Sequence, residues 1–408
     1  MSLYRVNHYV PEWFQRRFLL EDVPEKKFYY LDLDPETVVS NKHKYTRQAL
    51  LRWGPSNCFC SHDLYTTRFG NWQSTEIEQK FFGKIDSAGR DAVDHFTAFQ
   101  HPAIDEKAFH DLLIYMSTQK LRTPKGLTYL ANLVNTNDKN LVLFKMQELQ
   151  QLYCALWTEC VWSIADASKS ETKFILSDHP VTVYNQACLP LSKWCLGYRD
   201  PETLLSGTHT LFPLSQDKIL ILTNLSWVRN PYGYATKPRP NPDLLRGAMF
   251  NFLDIQVGRE LTDTEVNEIN FVIKKRAYKY IAAAKKEWLY PESKIMTKNW
   301  KDLGGGYLFM PDPRSVTFST EVIIGYSKGR ADFFDEYGRK PWQKDYNDKR
   351  QKEEEWRTFH VFQGEFARVF GPRRRGRSYD IGRLDNEEDS PEYHAYHLSL
   401  ENKFKNQT

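Results

Sequence analysis

The chain contains no run approaching the roughly 20 apolar residues of a membrane span, and its opening, Met1 to Pro11, has no apolar stretch of the secretory kind. The expectation is a cytoplasmic protein without a membrane partner. Cysteine is scarce, six in 408 residues, which excludes a disulfide-built scaffold and fits reduced thiols. Cys58-Phe59-Cys60-Ser61-His62 is the one tight cluster, and without a second pair at workable spacing it reads as ordinary thiols rather than a zinc site. Nucleotide-type glycine loops are missing: neither G-x-x-x-x-G-K-[ST] nor G-x-G-x-x-G occurs, and H-E-x-x-H is absent as well. P-loop NTPases, Rossmann dehydrogenases and zincins are thereby disfavoured. Nor does one sign of charge dominate. With 56 Lys and Arg against 52 Asp and Glu, any nucleic-acid contact has to be local.

What the chain has in quantity is aromatic surface, 25 Phe, 23 Tyr and 11 Trp, enough for a substantial core and for stacking on a flat ligand. Pro11 followed by Trp13, Phe14 and Phe18 predicts a short helix, and Lys26 to Leu33 predicts a strand. Ser74 with Glu76 and Glu78 predicts an N-capped helix continuing through Phe81, Phe82, Ile85 and Ala88. Further helices are predicted over Glu106 to Leu121, stopping at Thr123-Pro124, and over Leu141 to Ala165. Short strands follow at Lys173 to Leu176, Val181 to Tyr184, Thr208 to Phe212 and Lys218 to Thr223. A capping box, Thr262 with Glu265, opens a helix expected to reach about Lys286. Helices on either side of a strand block define an α+β class, expected as a main domain over 1–300. Residues 301–408, glycine-rich, then strand-like, then charged, are expected as a C-terminal extension.

Six polar positions are suited to chemistry. His8, beside Pro11, suits a metal ligand or general base and equally a hydrogen bond to a carbonyl. Glu78 and Asp86 are eight apart on one helix face; they read first as a solvated acidic face and otherwise as an inward carboxylate pair. Gln119 and Arg122, three apart at a helix end, suit a bidentate grip on phosphate or carboxylate and equally neutralisation of the terminal carbonyls. Ser177-Asp178-His179-Pro180 stands between two strands, where Asp178 suits metal ligation and equally a turn.

In this order, Asn7-His8-Tyr9-Val10-Pro11, Glu78, Gln119-x-x-Arg122-Thr123-Pro124 and Ser177-Asp178-x-Pro180-Val181, the chain resembles, over roughly residues 5 to 290, the domain-of-unknown-function family four-two-three-eight. Members of that family occur among candidate bacterial antiviral defence proteins, so the resemblance implies a damaging effector such as a nuclease. It also implies that His8, Glu78, Gln119, Arg122 and Asp178 are the polar positions of the pattern. Asp86 stands where Glu is commoner, and His179 where Asn is typical.

The leading expectation is a metal-dependent phosphodiesterase acting on nucleic acid. Glu78 and Asp178 would hold Mg2+ or Mn2+, His8 would bind metal or activate water, and Arg122 would stabilise the phosphorane, with Gln119 orienting it. Two alternatives stand beside it. One is a non-catalytic module binding nucleic acid or a partner protein through the Arg373 to Arg377 cluster. The other is a sensor that binds a nucleotide-like small molecule with the same polar set.

Overall fold

The computed structural model describes residues 6–405, apart from 22–24, 41–42, 66, 70–71, 75–80, 137, 196–199, 240–249, 317–321, 328–329, 336–338 and 380–386. The architecture is α+β, built on two sheets. In chain order the strands of these sheets are β1 (Phe28–Asp32), β2 (Leu50–Trp53), β3 (Cys160–Asp166), β4 (Leu176–Ser177), β5 (Thr182–Tyr184), β6 (His209–Pro213), β7 (Lys218–Asn224), β8 (Gln256–Glu260) and β9 (Tyr280–Ala283). The large sheet has the order β5-β6-β7-β3-β8, antiparallel except for β8, which runs parallel to β3. The smaller, antiparallel sheet has the order β4-β9-β1-β2.

The helices are α1 (Glu12–Arg16), α2 (Gly83–Thr97), α3 (Glu106–Arg122), α4 (Pro124–Val134), α5 (Lys139–Thr158), α6 (Leu225–Arg229), α7 (Asp263–Arg276), α8 (Lys349–Phe370) and α9 (Pro391–Lys405). Side chains of a strand alternate between faces, and the register places Trp162, Ile164, Leu220 and Phe212 on one face of the large sheet. Phe96 of α2 and Phe109 of α3 pack on Trp162, and Phe14 of α1 stacks on Phe212 with ring centres 5.4 Å apart. Val161 points the other way, into a cluster with Trp227 of α6 and Phe359, Phe362 and Phe366 of α8. Because β7 is covered on both faces, Ile219, Leu220, Ile221 and Leu222 are all buried, each contributing roughly 1.5 to 3 kcal/mol of transfer free energy.

Several expected elements end elsewhere. Ser74 closes a strand, Trp72–Ser74, and the described helix begins at Gly83, while Glu76 and Glu78 lie outside the described residues. The helix expected through Ala165 stops at Thr158. Residues 160 to 165 are instead β3, whose burial on both faces makes an apolar run that periodicity alone cannot assign to helix or strand. The capping box of Thr262 and Glu265 is formed, yet α7 ends at Arg276 and Ile281 belongs to β9. The aromatic and aliphatic core also runs through the boundary expected near residue 300, since Trp300, Leu303, Leu308 and Phe309 are part of it.

One junction positions everything that follows. Pro124 disfavours a helical conformation for the residue before it, and Thr123 is extended, with φ −68° and ψ 159°. Thr123 therefore ends α3 and starts α4, its hydroxyl accepting the Gly126 N–H while Pro124 occupies the first turn. The two helices turn so tightly that a Cβ on Gly126 would lie 2.4 Å from the Lys120 carbonyl oxygen. Across from this junction the segment Asp178 to Val181 leaves β4 in the small sheet and enters β5 at the edge of the large one.

Candidate ligand site

Of the positions singled out in the sequence, those described lie around Tyr9 and Asp178, and His179 alone reaches a second environment. Around Tyr9 they knit the core. The Gln119 side-chain amide donates to the Tyr9 carbonyl at 2.7 Å, and Gln119 Oε1 accepts from Arg122 Nε and Nη2 at 2.9 and 2.6 Å. Arg122 Nη2 also meets Asp86 Oδ1 at 2.8 Å, and its guanidinium lies over the rings of Phe82 and Tyr115. Burial would lower the Arg122 pKa, but Asp86 and the neighbouring tyrosines overcome it, so the group stays charged. Asp86 does point inward, as one of its two readings had it, with Arg122 as its partner. His8 lies in a short strand, Val6–His8, its Nε2 at 3.1 Å from the Ser56 carbonyl oxygen and 3.8 Å from Glu12.

Asp178 is 1 % exposed, and its carboxylate accepts three backbone N–H groups: Tyr278 at 2.8 Å, Lys279 at 2.6 Å and Tyr280 at 2.8 Å. It is the clamp that stops α7 and turns the chain into β9. Burial pushes its carboxyl up to about 6, against the pull of those N–H donors. Among the described residues, no group of three His, Cys, Asp or Glu side chains is arranged to hold a metal ion.

The second environment opens from the α3–α4 junction. A cavity of about 130 Å3 lies between α3, α4, α5 and the segment 200–204, with Lys120, Lys125, His179 and Asp200 among its lining. Leu121, Leu149, Leu152, Leu156 and Leu204 line it as well, with Tyr129 and Tyr153. Lys125 Nζ is 2.5 Å from Asp200 Oδ1 and donates to the Arg276 carbonyl at 2.5 Å. Lys120 Nζ donates to Asp200 Oδ2 at 3.2 Å. Lys120, Lys125 and Asp200 are 6 %, 1 % and 3 % exposed. Burial alone would raise the Asp200 pKa, yet the two lysines hold its carboxyl well below the usual range. Burial lowers the pKa of Lys125, with Asp200 opposing.

His179 completes the set. Its Nδ1 is 2.7 Å from the Thr123 hydroxyl and its Nε2 is 3.2 Å from Asp200 Oδ2. A lone pair facing a carboxylate is repulsive, so the proton belongs on Nε2, and the Thr123 O–H donates to Nδ1. A chain of hydroxyl, imidazole and carboxylate has the connectivity of a nucleophilic triad. Its electrostatics argue otherwise. Burial and the lysines hold the imidazole down at about 3, too weakly basic to take a proton near neutrality. Thr123, fully buried, serves α4 as a cap.

Sequence reasoning passed over Lys120, Lys125 and Asp200. The available signal was the end of α3, where Ser117, Thr118, Gln119, Lys120 and Arg122 are all buried. A helix turn that is polar on every side and flanked by Thr123-Pro124 fits a packed polar site better than a solvated surface. Asp200, standing before Pro201, carried only the signature of a turn.

These features define an α+β protein whose helical half encloses a small pocket ending on two buried ammonium groups. Residues 7–287 match the family described as Protein of unknown function (DUF4238), and the chain belongs to it. The match includes both environments and stops before α8. No match was found among curated proteins or among solved structures.

Proposed function

We propose that this protein is a binding protein for a small anionic molecule, held in the cavity by Lys120 and Lys125. One observation carries the reading: two buried ammonium groups share a single carboxylate in a pocket whose lining includes five leucines and two tyrosines. Unpaired buried charge is costly, and an anion entering beside Lys120 supplies the missing charge. This favours the sensing role over the metal-dependent phosphodiesterase. Asp178 is buried and already accepts three backbone N–H groups that hold a turn in place, which leaves little of its carboxylate for Mg2+ or Mn2+.

The binding reading is tested by thermal unfolding of the purified protein against a panel of anions. A ligand at one hundred times its dissociation constant stabilises the fold by about 2.7 kcal/mol, and Lys120→Met should abolish that gain while leaving the Lys125–Asp200 pair. The nuclease proposal has its own check, cleavage of labelled RNA, single-stranded DNA and duplex DNA in EDTA, Mg2+ or Mn2+. Metal-dependent cleavage lost in Asp178→Asn with the fold intact would restore it.

A further inference from the structure

The charges and dimensions of the cavity narrow the ligand class. Lys120 and Lys125 bring two positive charges to the inner end, and Asp200 removes one of them. The remaining titratable groups there alter that sum little. His179 is neutral at physiological pH. Arg276 lies behind Lys125, its Nη2 on the Cys188 carbonyl and its guanidinium over Trp300, and it does not line the cavity. Glu202, which also lines the pocket, is exposed, so water screens it. The buried end therefore carries a surplus of one positive charge. A single negative charge neutralises it, whereas a second would be buried without a partner.

Size sets the other limit. A cavity of about 130 Å3 is close to the roughly 150 Å3 of an engineered apolar cavity that takes up benzene, and well below the roughly 300 Å3 at which pockets begin to enclose drug-sized ligands. The wall beyond the lysines is apolar, formed by Leu121, Leu149, Leu152, Leu156 and Leu204. Along this wall a hydrocarbon gains by leaving water, whereas a ribose or a polyphosphate gains nothing.

We propose that the cavity binds a monocarboxylate with a compact apolar body, about the size of one six-membered ring, its carboxylate on Lys120 and its body between α4 and α5. The proposal rests on the anion-binding reading above and specifies it. Calorimetric titration of the full chain with acetate, butyrate, hexanoate, decanoate and benzoate provides the test, with hexanamide, inorganic phosphate and ATP as comparisons. Affinity is expected to rise about fourfold for each methylene buried and to level off once the tail outgrows the cavity. Hexanoate and benzoate should bind at least tenfold more tightly than hexanamide or ATP. Leu152→Trp, filling the cavity from a half-buried position, should remove binding of both without loss of the cooperative melt, and Lys120→Met should weaken hexanoate at least tenfold.

Equal binding of hexanamide and hexanoate would overturn the role of the charge. Tighter binding of phosphate or ATP than of hexanoate, lost in Lys120→Met, would overturn the monocarboxylate and leave the anion site standing. No binding of any anion by the folded protein would bring down both.

Discussion

Asp178 and Asp200 are both buried carboxylates in the same short stretch of chain, and the structure uses them in opposite ways. Asp178 is satisfied by backbone N–H groups, which are fixed, neutral and cannot leave. Asp200 is satisfied by two lysine side chains and a histidine. The lysine donors are mobile and charged, with spare hydrogen-bonding capacity. A carboxylate held by three main-chain donors is part of the scaffold. One that shares ammonium groups with a cavity belongs to a site. The family pattern drew attention to the first, and the geometry draws it to the second.

Substitution separates the two most sharply. Asp178→Asn leaves backbone donors without acceptors and should cost about 4 kcal/mol, with no compensating side-chain change. Lys125→Met should cost about 3 to 5 kcal/mol by leaving Asp200 Oδ1 and the Arg276 carbonyl without their buried donor, although Lys120 still neutralises Asp200; Lys125→Met with Asp200→Asn should recover part of that, because the carboxylate that needs the donor is gone. Denaturant titration of the wild type, Asp178→Asn, Lys125→Met, Asp200→Asn and the double variant checks this, and additive losses for the Lys125 and Asp200 changes would dissolve the distinction.

Next in size is Gly126→Ala, expected to cost about 3 kcal/mol through overpacking, since the new Cβ would meet the Lys120 and Leu121 carbonyls. Loss of the cavity's ligand should accompany it, because the same turn aims Lys120 and Lys125.

Acid pH tests the contrast through its sign. His179 is depressed to about 3, so its neutral form stabilises the fold above its unfolded pKa near 6.5, and that contribution is lost as pH falls from about 6.5 toward 3. The slope is about 1.4 kcal/mol per pH unit. His209, also buried and held down at about 3, adds a loss of the same sign. Asp178, pushed up to about 6, works the other way, the fold gaining as pH falls from about 6 to 4. The informative quantity is therefore a difference: His179→Gln should flatten the loss by about 1.4 kcal/mol per pH unit between pH 6 and 4, measured by urea titration, and an unchanged slope would place the proton elsewhere. The smallest effect belongs to the surface. Arg16→Ala, breaking an exposed pair with Glu12, should change stability by no more than about 0.5 kcal/mol.

The C-terminal arginines repeat the contrast between scaffold and site. Arg374 is bound to Asp389 and Ser315, Arg375 to Glu265, and Arg377 pairs through its backbone with Val257 beside β8. Of this cluster Arg373 is exposed. The run that reads as a phosphate-binding tail is largely a clasp that fastens the chain after α8 to the edge of the large sheet.

Local sequence determined a good deal by itself. Asp105 and Thr123-Pro124 bound α3 because a cap and an imino acid act within a few residues, and the capping box fixes the start of α7 for the same reason. Strands β5, β6 and β7 were legible from their β-branched and aliphatic runs between prolines and turns. The end of α7 was not, because the groups that stop it come from Asp178, far away in the chain. The site was not legible for the same reason. Lys120 and Lys125 from either side of a helix junction, His179 from the crossover between two sheets and Asp200 from the connection between β5 and β6 become a pocket only once packing removes water from between them. Burial of charge is decided by the tertiary structure, since a charged residue carries the same formal charge in the sequence whether water or another side chain will be its partner.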